Sequence, residues 1–385
     1  MKTHFFLFGM AFLVFLAEAE IDIVVPSFPG MMNYYGTSVA QTEWVLTFNL
    51  IAHGIAGLVI GSLADVYGKR KTLLAGLIVF ILGSVLTIFS GSFELLLLGR
   101  ILQGAGMASP MVVGYLIIIQ GVNESKKEQR IATLNGVANI SLAFSPAIGG
   151  LFVVFFSWHA SFKLLLALGI IALLIGLYIV PKDRQEHIAR SNGTYSMLLK
   201  DSKQLKLIFA TLFLPAAWFT FVGLSSILYV NYMGVSVMQY ALYQGGIALV
   251  YGFISLYLHK IIELLSKKVV ERISLGLLIL ATVGIIAGYI LNWYTPAYLT
   301  TTMLIGSVGS IYLTNRSQIL AVTYHSAWAG KASALIMLGR WLLTAILLQI
   351  SGKIYQTNES LTIITVALSW MAGIIFIWRV SKKII

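Results

Sequence analysis

Twelve long apolar runs, separated by short polar connectors, leave this chain few ways to fold. They cover about 5–25, 42–62, 72–91, 95–120, 132–156, 161–181, 206–230, 239–262, 273–292, 298–321, 331–351 and 360–379. Each is close to the ~20 residues a helix needs to cross the hydrocarbon of a bilayer. In lipid, every backbone N–H and C=O must find its partner within the protein, so runs of this length fold as helices. The expectation is an all-α membrane protein with twelve transmembrane helices. Composition agrees, with 58% of residues hydrophobic, 10% charged and a mean hydropathy of +0.89. A soluble domain carries roughly a quarter charged residues. No secretory cleavage pattern follows the first run, so it is read as a retained span.

The charge distribution orients the chain. Of 26 Lys and Arg, 21 fall in tails and connectors on the side shared by both termini. Positive residues collect on the cytoplasmic side, so both termini are expected there. The net charge of +12 is then topological and predicts no nucleic-acid partner; attraction to anionic lipid is a by-product. The absence of cysteine excludes disulfides and thiol chemistry. No G-x-x-x-x-G-K-[ST] phosphate loop is present, which excludes that route to ATP use. No cofactor and no metal are expected, and a monomer suffices.

The longest polar stretch, 182–205, divides the spans six and six. Two halves, 1–181 and 206–385, joined by a cytoplasmic linker are what a transporter built from two repeats would show. Between spans 2 and 3 stands Gly61-Ser-Leu-Ala-Asp65-Val-Tyr-Gly68-Lys69-Arg70-Lys71. Gly61 is expected to let helices approach closely, and Gly68 to allow a tight turn. Asp65 suits a helix N-terminus or a basic partner. The counterpart between spans 8 and 9 stays basic, through Lys267, Lys268 and Arg272, but lacks the Gly-Asp pattern.

The spacing G-x-L-A-D-x-x-G-K-R-K resembles the loop 2–3 signature of the major facilitator superfamily. Three further patterns join it. Asp22-Ile-Val-Val-Pro26-Ser-Phe-Pro29 resembles the end of span 1 in bacterial drug exporters of the bicyclomycin-resistance type. Arg100-Ile-Leu-Gln103-Gly104-Ala-Gly106 resembles the family's span 4 motif, whose arginine serves proton coupling. Ser145-Pro146-Ala-Ile-Gly149-Gly150 resembles the antiporter motif of span 5, with Ser145 in place of its first glycine. The resemblance implies a twelve-span drug:proton antiporter, in which two halves rock about a midplane site.

The charges inside the spans carry the chemistry. A charge at membrane depth costs about 2.5–3.5 kcal/mol by insertion scales, so it persists where it faces a cavity or a partner. Glu18 and Asp22 are four apart on one face of span 1, while Glu20 projects nearly opposite and is read as solvated near the outer interface. Two carboxylates sharing a face in low dielectric resist ionising together, which suits a proton carrier. Arg100, about five residues below the outer surface of span 4, is placed to pair with Asp22. Asn49 and His53 of span 2, near the midplane, are read first as an interhelical contact, with a substrate contact in the cavity as the alternative. Arg340 of span 11 and Arg316 of span 10 are candidate substrate contacts, the latter with headgroup snorkelling as the alternative. Glu263, Glu271 and Glu359 are placed in loops, leaving the second-half spans without acid. Trp218, Phe221, Tyr229, Tyr251 and Trp341 are aromatic candidates for the cavity wall. Two readings of the substrate stand. One is a range of lipophilic, often cationic compounds. The other, favoured by Arg316 and Arg340, is an anionic metabolite such as a carboxylate siderophore, exported or imported. A membrane enzyme or sensor lacks any nucleophile–base or metal signature here.

Overall fold

The computed structural model describes the backbone of residues 2–120, 124–181, 195–325 and 328–384. Twelve long helical segments follow the expected order, and no strand occurs among the described residues. Spans 1 to 6 are Lys2–Asp22, Trp44–Tyr67, Lys69–Ile88, Phe93–Gln120, Glu124–Phe155 and His159–Tyr178. Span 7 is built from Ser202–Ala210 and Phe213–Ser226 and ends in a π-helical stretch, Ile227–Tyr232. Spans 8 to 12 are Val237–Leu265, Lys267–Ile290, Pro296–Thr323, Ala329–Thr357 and Ile364–Ile384. Nine stretches are long and apolar enough to cross a membrane among the described residues.

Three boundaries differ from expectation for local reasons. Span 1 stops at Asp22 rather than near 25. Pro26 and Pro29 lack the N–H a continuing helix needs. The chain turns through a short 3-10 segment, Val25–Ser27, into a separate helix, Phe28–Tyr35. Spans 8 and 9 extend as helix to Leu265 and from Lys267, so Glu263 and Glu271 are helical rather than in loops. Part of the expected linker is helical, at Tyr195–Lys200 and in the first turn of span 7; its segment 182–194 lies outside the described residues. Asp201 caps span 7 by accepting from Lys203 N and Gln204 N, and also bonds His325 at 2.8 Å. The His325 bond and the cap hold its carboxyl below the usual range.

The turn between spans 2 and 3 recurs between spans 8 and 9. Gly68 adopts φ 94°, ψ 148°, and Ser266 adopts φ 67°, ψ 151°. This region is almost confined to glycine, and a side chain there costs about 1–3 kcal/mol. The second half keeps the backbone of the turn and carries the strain. Ser266→Gly is therefore expected to raise stability by about 1–3 kcal/mol, read as a higher unfolding temperature in detergent.

The two sets of six helices meet along spans 2 and 11 and along spans 5 and 8, where small residues let backbones close up. A Cβ on Gly150 would lie 2.7 Å from the Ala241 methyl, and one on Gly352 would lie 2.8 Å from Ala40 Cα. Gly54 and Gly57 of span 2 face Leu338 and Met337 of span 11. Gln349 donates to Thr47 at 2.9 Å across the same seam. These contacts lie mostly toward the end opposite the linker, called the far end below.

Candidate functional site

Span 1 divides its three acids between two environments. Glu20 points toward spans 2 and 4. Its Oε2 accepts from Arg100 Nη1 at 3.0 Å and from Asn49 Nδ2 at 3.3 Å, and both charged side chains are 0% exposed. Arg100 also donates from Nε to the Val45 carbonyl at 3.2 Å and from Nη1 to Gln103 Oε1 at 2.8 Å. Gln103 passes the network to Ser84 at 2.9 Å, and Asn49 donates to the Arg100 carbonyl at 3.2 Å. Gly104 makes room for this approach, since a Cβ there would sit 2.1 Å from the Asn49 carbonyl oxygen. The expected Arg100–Asp22 pair is thus replaced by Arg100–Glu20, and Glu20 is buried rather than solvated. Span 1 ends earlier than expected, and the face it turns to span 4 carries Glu20. Asn49 belongs to this cluster, the interhelical contact of its two expected readings.

Glu18 and Asp22 occupy the other face and turn toward the second half. Glu18 is within electrostatic reach of Arg340 on span 11, and Asp22 of Tyr240 on span 8. One Asp22 carboxylate oxygen is buried without a hydrogen-bond partner. Tyr240 pairs with Ser225 of span 7 at 3.0 Å, and Gln244, one turn along span 8, has both amide atoms buried and unbonded. Arg340 donates to Gln318 of span 10 at 3.2 Å while its Nε has no partner. Tyr251 interacts electrostatically with both Arg340 and Glu18, and Trp218 stacks on Tyr251 with ring centroids 5.9 Å apart. Trp218 also lies beside Phe221, ring centroids 6.0 Å apart. His53 is buried with neither ring nitrogen bonded, its ring 5.9 Å from that of Trp341. Asp22, Gln244, His53 and Arg340 thus bring buried polar atoms without protein partners to the seam between the halves.

Several expected residues do something else. Arg316 forms an ion pair with Glu271 of span 9, so its charge is already matched on the linker side of span 10. The extension of span 9 to Lys267 as helix is what brings that acid within reach. Tyr229 is tied to Thr300 of span 10 at 2.7 Å and packs on Tyr240 and Tyr243, which makes it a helix-to-helix brace. Gly61 has nothing within 4 Å of where its Cβ would be, so it admits no close approach in this conformation, and Asp65 is exposed. Arg70 donates to the Gly176 and Leu177 carbonyls, capping the end of span 6. In span 5, Pro146 lies inside the helix and Gly149 presses on span 1, where a Cβ would sit 2.2 Å from the Ile23 carbonyl oxygen.

A family model described as Major Facilitator Superfamily matches residues 10–348. The chain belongs to the major facilitator superfamily. Among its relatives, the multidrug resistance protein MdtL of Salmonella typhimurium (strain LT2) is 28% identical over 279 residues, covering 70% of each chain. Among solved structures, a D-xylose–proton symporter superposes with a TM-score of 0.84 at 10% identity, covering 98% of both chains. A bacterial homologue of the human lysosomal transporter Spinster, in an inward-facing and occupied conformation, gives 0.75 at 15% identity, covering 98% of this chain and 96% of that one. At these identities the solved structures speak for the fold, an all-α bundle of two six-helix halves in a multi-pass membrane protein.

Three groups stand out little in the sequence. Glu43, just ahead of span 2, is 0% exposed with neither carboxylate oxygen bonded. Its signal was an acid with no basic residue within several positions, at the mouth of an apolar run. Gln244 and Gln318 gave no signal, since single amides in helices are common.

Proposed function

We propose that this superfamily member is a proton-coupled exporter that moves small organic molecules by alternating access, acting as a monomer in a bacterial inner membrane. The halves comprise residues 1–181 and 206–385, with both termini cytoplasmic. The observation that carries the reading is the division of the span 1 acids. Glu20 is locked to Arg100, while Glu18 and Asp22 turn toward Arg340 and Tyr240 of the opposite half. Carboxylates placed between two mobile halves can be protonated from one side and discharged on the other. The MdtL relatives support export of drug-like compounds. With the far end closed and Gly61 and Asp65 uncovered, the conformation suits a cytoplasm-facing state. Transport into proteoliposomes under an imposed pH gradient, across a panel of cationic and anionic compounds, tests the reading. Uptake indifferent to the gradient for every compound would sink it.

Arg340 decides the charge of the substrate. It offers a guanidinium whose Nε is unbonded, and that fork binds two carboxylate or phosphate oxygens at once. Anionic or zwitterionic compounds are expected to bind at least as well as cations. Arg340→Lys keeps the charge but loses the fork, weakening an anion by about 1.5–3 kcal/mol, roughly tenfold to 150-fold. Calorimetry with one anion and one cation separates this from a gating role, in which both ligands lose equally.

A further inference from the structure

Glu43 lies outside the span 1 cluster, at the seam where the halves touch at the far end. It follows the short helix Val39–Thr42 and immediately precedes span 2. Its side chain turns toward span 7. A Cβ on Gly223 would stand 3.4 Å from Glu43 Oε2, 2.6 Å from Leu348 of span 11 and 3.0 Å from Leu46 of span 2. Leu46 and Leu348 are 2% and 0% exposed. A carboxyl is therefore held in an apolar cage made by one helix of the first half and two of the second. Among the described residues no basic group bonds it; Arg100, which reaches the Val45 carbonyl two residues along, is paired with Glu20. Lys353 of span 11 is exposed, and Arg340 lies two turns below Leu348 and donates to Gln318. His53 is ten residues further along span 2, against Trp341. Phe213–Tyr232 of span 7 carries no charged residue, and its Tyr229 is bonded to Thr300. The adjoining helix Phe28–Tyr35 is also uncharged, with Tyr35 donating to Ser90.

An ionised carboxylate without partners in such a cage is strongly disfavoured, whereas the neutral acid is tolerated. The cage exists only while spans 2, 7 and 11 are together. We propose that Glu43 is a second proton-binding site that latches the far gate: closing takes up one proton from the outer medium onto the Glu43 carboxylate, and opening returns it. Because Glu43 is sealed when the far end is shut, its proton does not cross to the linker side. The latch makes closure depend on outer pH without adding to the transported charge. It rests on the alternating-access reading above and not on which compound is carried.

The chain has no cysteine, so spin labels can be placed cleanly at Asn33→Cys and Gln356→Cys, both exposed and on opposite halves at the far end. Pulsed dipolar distances in nanodiscs, from pH 5 to pH 9, report the gate directly. The long-distance population is expected to grow with pH in the labelled protein with Glu43 intact. It should stay minor at every pH in Glu43→Gln, and in Glu43→Met, which fits the apolar cage if the amide folds poorly. Glu43→Asp should keep the pH response. A gate insensitive to pH with Glu43 intact, or a Glu43→Gln or Glu43→Met response that tracks it, overturns the latch. Gradient-driven transport by the same samples is read separately. Its absence alongside a pH-sensitive gate removes the exporter reading and leaves the latch standing.

Discussion

Glu20→Ala is expected to destabilise the protein by about 3–5 kcal/mol, because it strands the Arg100 guanidinium in a site with no access to water. The size follows from the surroundings. Arg100 would keep the Val45 carbonyl and Gln103 as acceptors, and neither carries a charge. Asn49 would lose the carboxylate it donates to, leaving two buried groups short of partners. Removing both charges together has a different outcome. Glu20→Leu with Arg100→Met refills the space with apolar atoms, and replacing a whole buried pair in this way is often neutral or stabilising. The double variant should therefore unfold closer to the unaltered protein than either single one. Thermal unfolding in detergent checks this. A Glu20→Ala variant as stable as the starting protein would show that the pair does not anchor spans 1, 2 and 4.

The same cluster shows what could be read from the residues and what could not. Helix positions follow from hydrophobic run length, and the order of all twelve spans emerged from it. The end of span 1 did not, because two prolines ended the helix ahead of the apolar run. That shift matters, since a helix continued to residue 25 sets Asp22 one turn inside its end, whereas Asp22 is the last helical residue. Periodicity correctly separates Glu20 from Glu18 and Asp22, but it does not say which face turns toward span 4. A buried arginine announces that some acid must meet it; which of three acids does so depends on the rotation of one helix. Arg316 is the reverse case. The apolar run of span 9 puts its partner, Glu271, in a loop, whereas the helix extends beyond that run to Lys267. Glu43 carries only a weak sequence signal, because an acid at the entrance of a span is ordinarily solvated; the closure of spans 7 and 11 over it is what makes it unusual. Gly61 shows a further limit. A motif glycine implies close approach, yet this conformation leaves it open.

Asp22→Asn is expected to abolish transport driven by a pH gradient while leaving exchange at equal pH. The substitution keeps the side chain's shape and its place beside Tyr240 but removes the acid that gains and loses a proton. Asp22 is 1% exposed, and one of its oxygens is unbonded, so the asparagine fits a site that already tolerates an unmet polar atom. Folding should therefore be little affected, in contrast to Glu20→Ala. What changes is linkage. A ligand drives a conformational equilibrium only through different affinities for the two states, and a residue that binds no proton offers the gradient nothing to act on. Glu18→Gln should behave differently, because Glu18 faces Arg340. Losing that carboxylate leaves Arg340 as an unbalanced cation, so anion binding is expected to tighten and cation binding to weaken even where no gradient is applied. The two variants, assayed in proteoliposomes with and without a gradient, separate the roles. Asp22→Asn should lose only the uphill component, for anions and cations alike. Glu18→Gln should shift the preference between them. Full uphill transport by Asp22→Asn would move the coupling proton to Glu18 alone, and an unchanged charge preference in Glu18→Gln would break its link to Arg340.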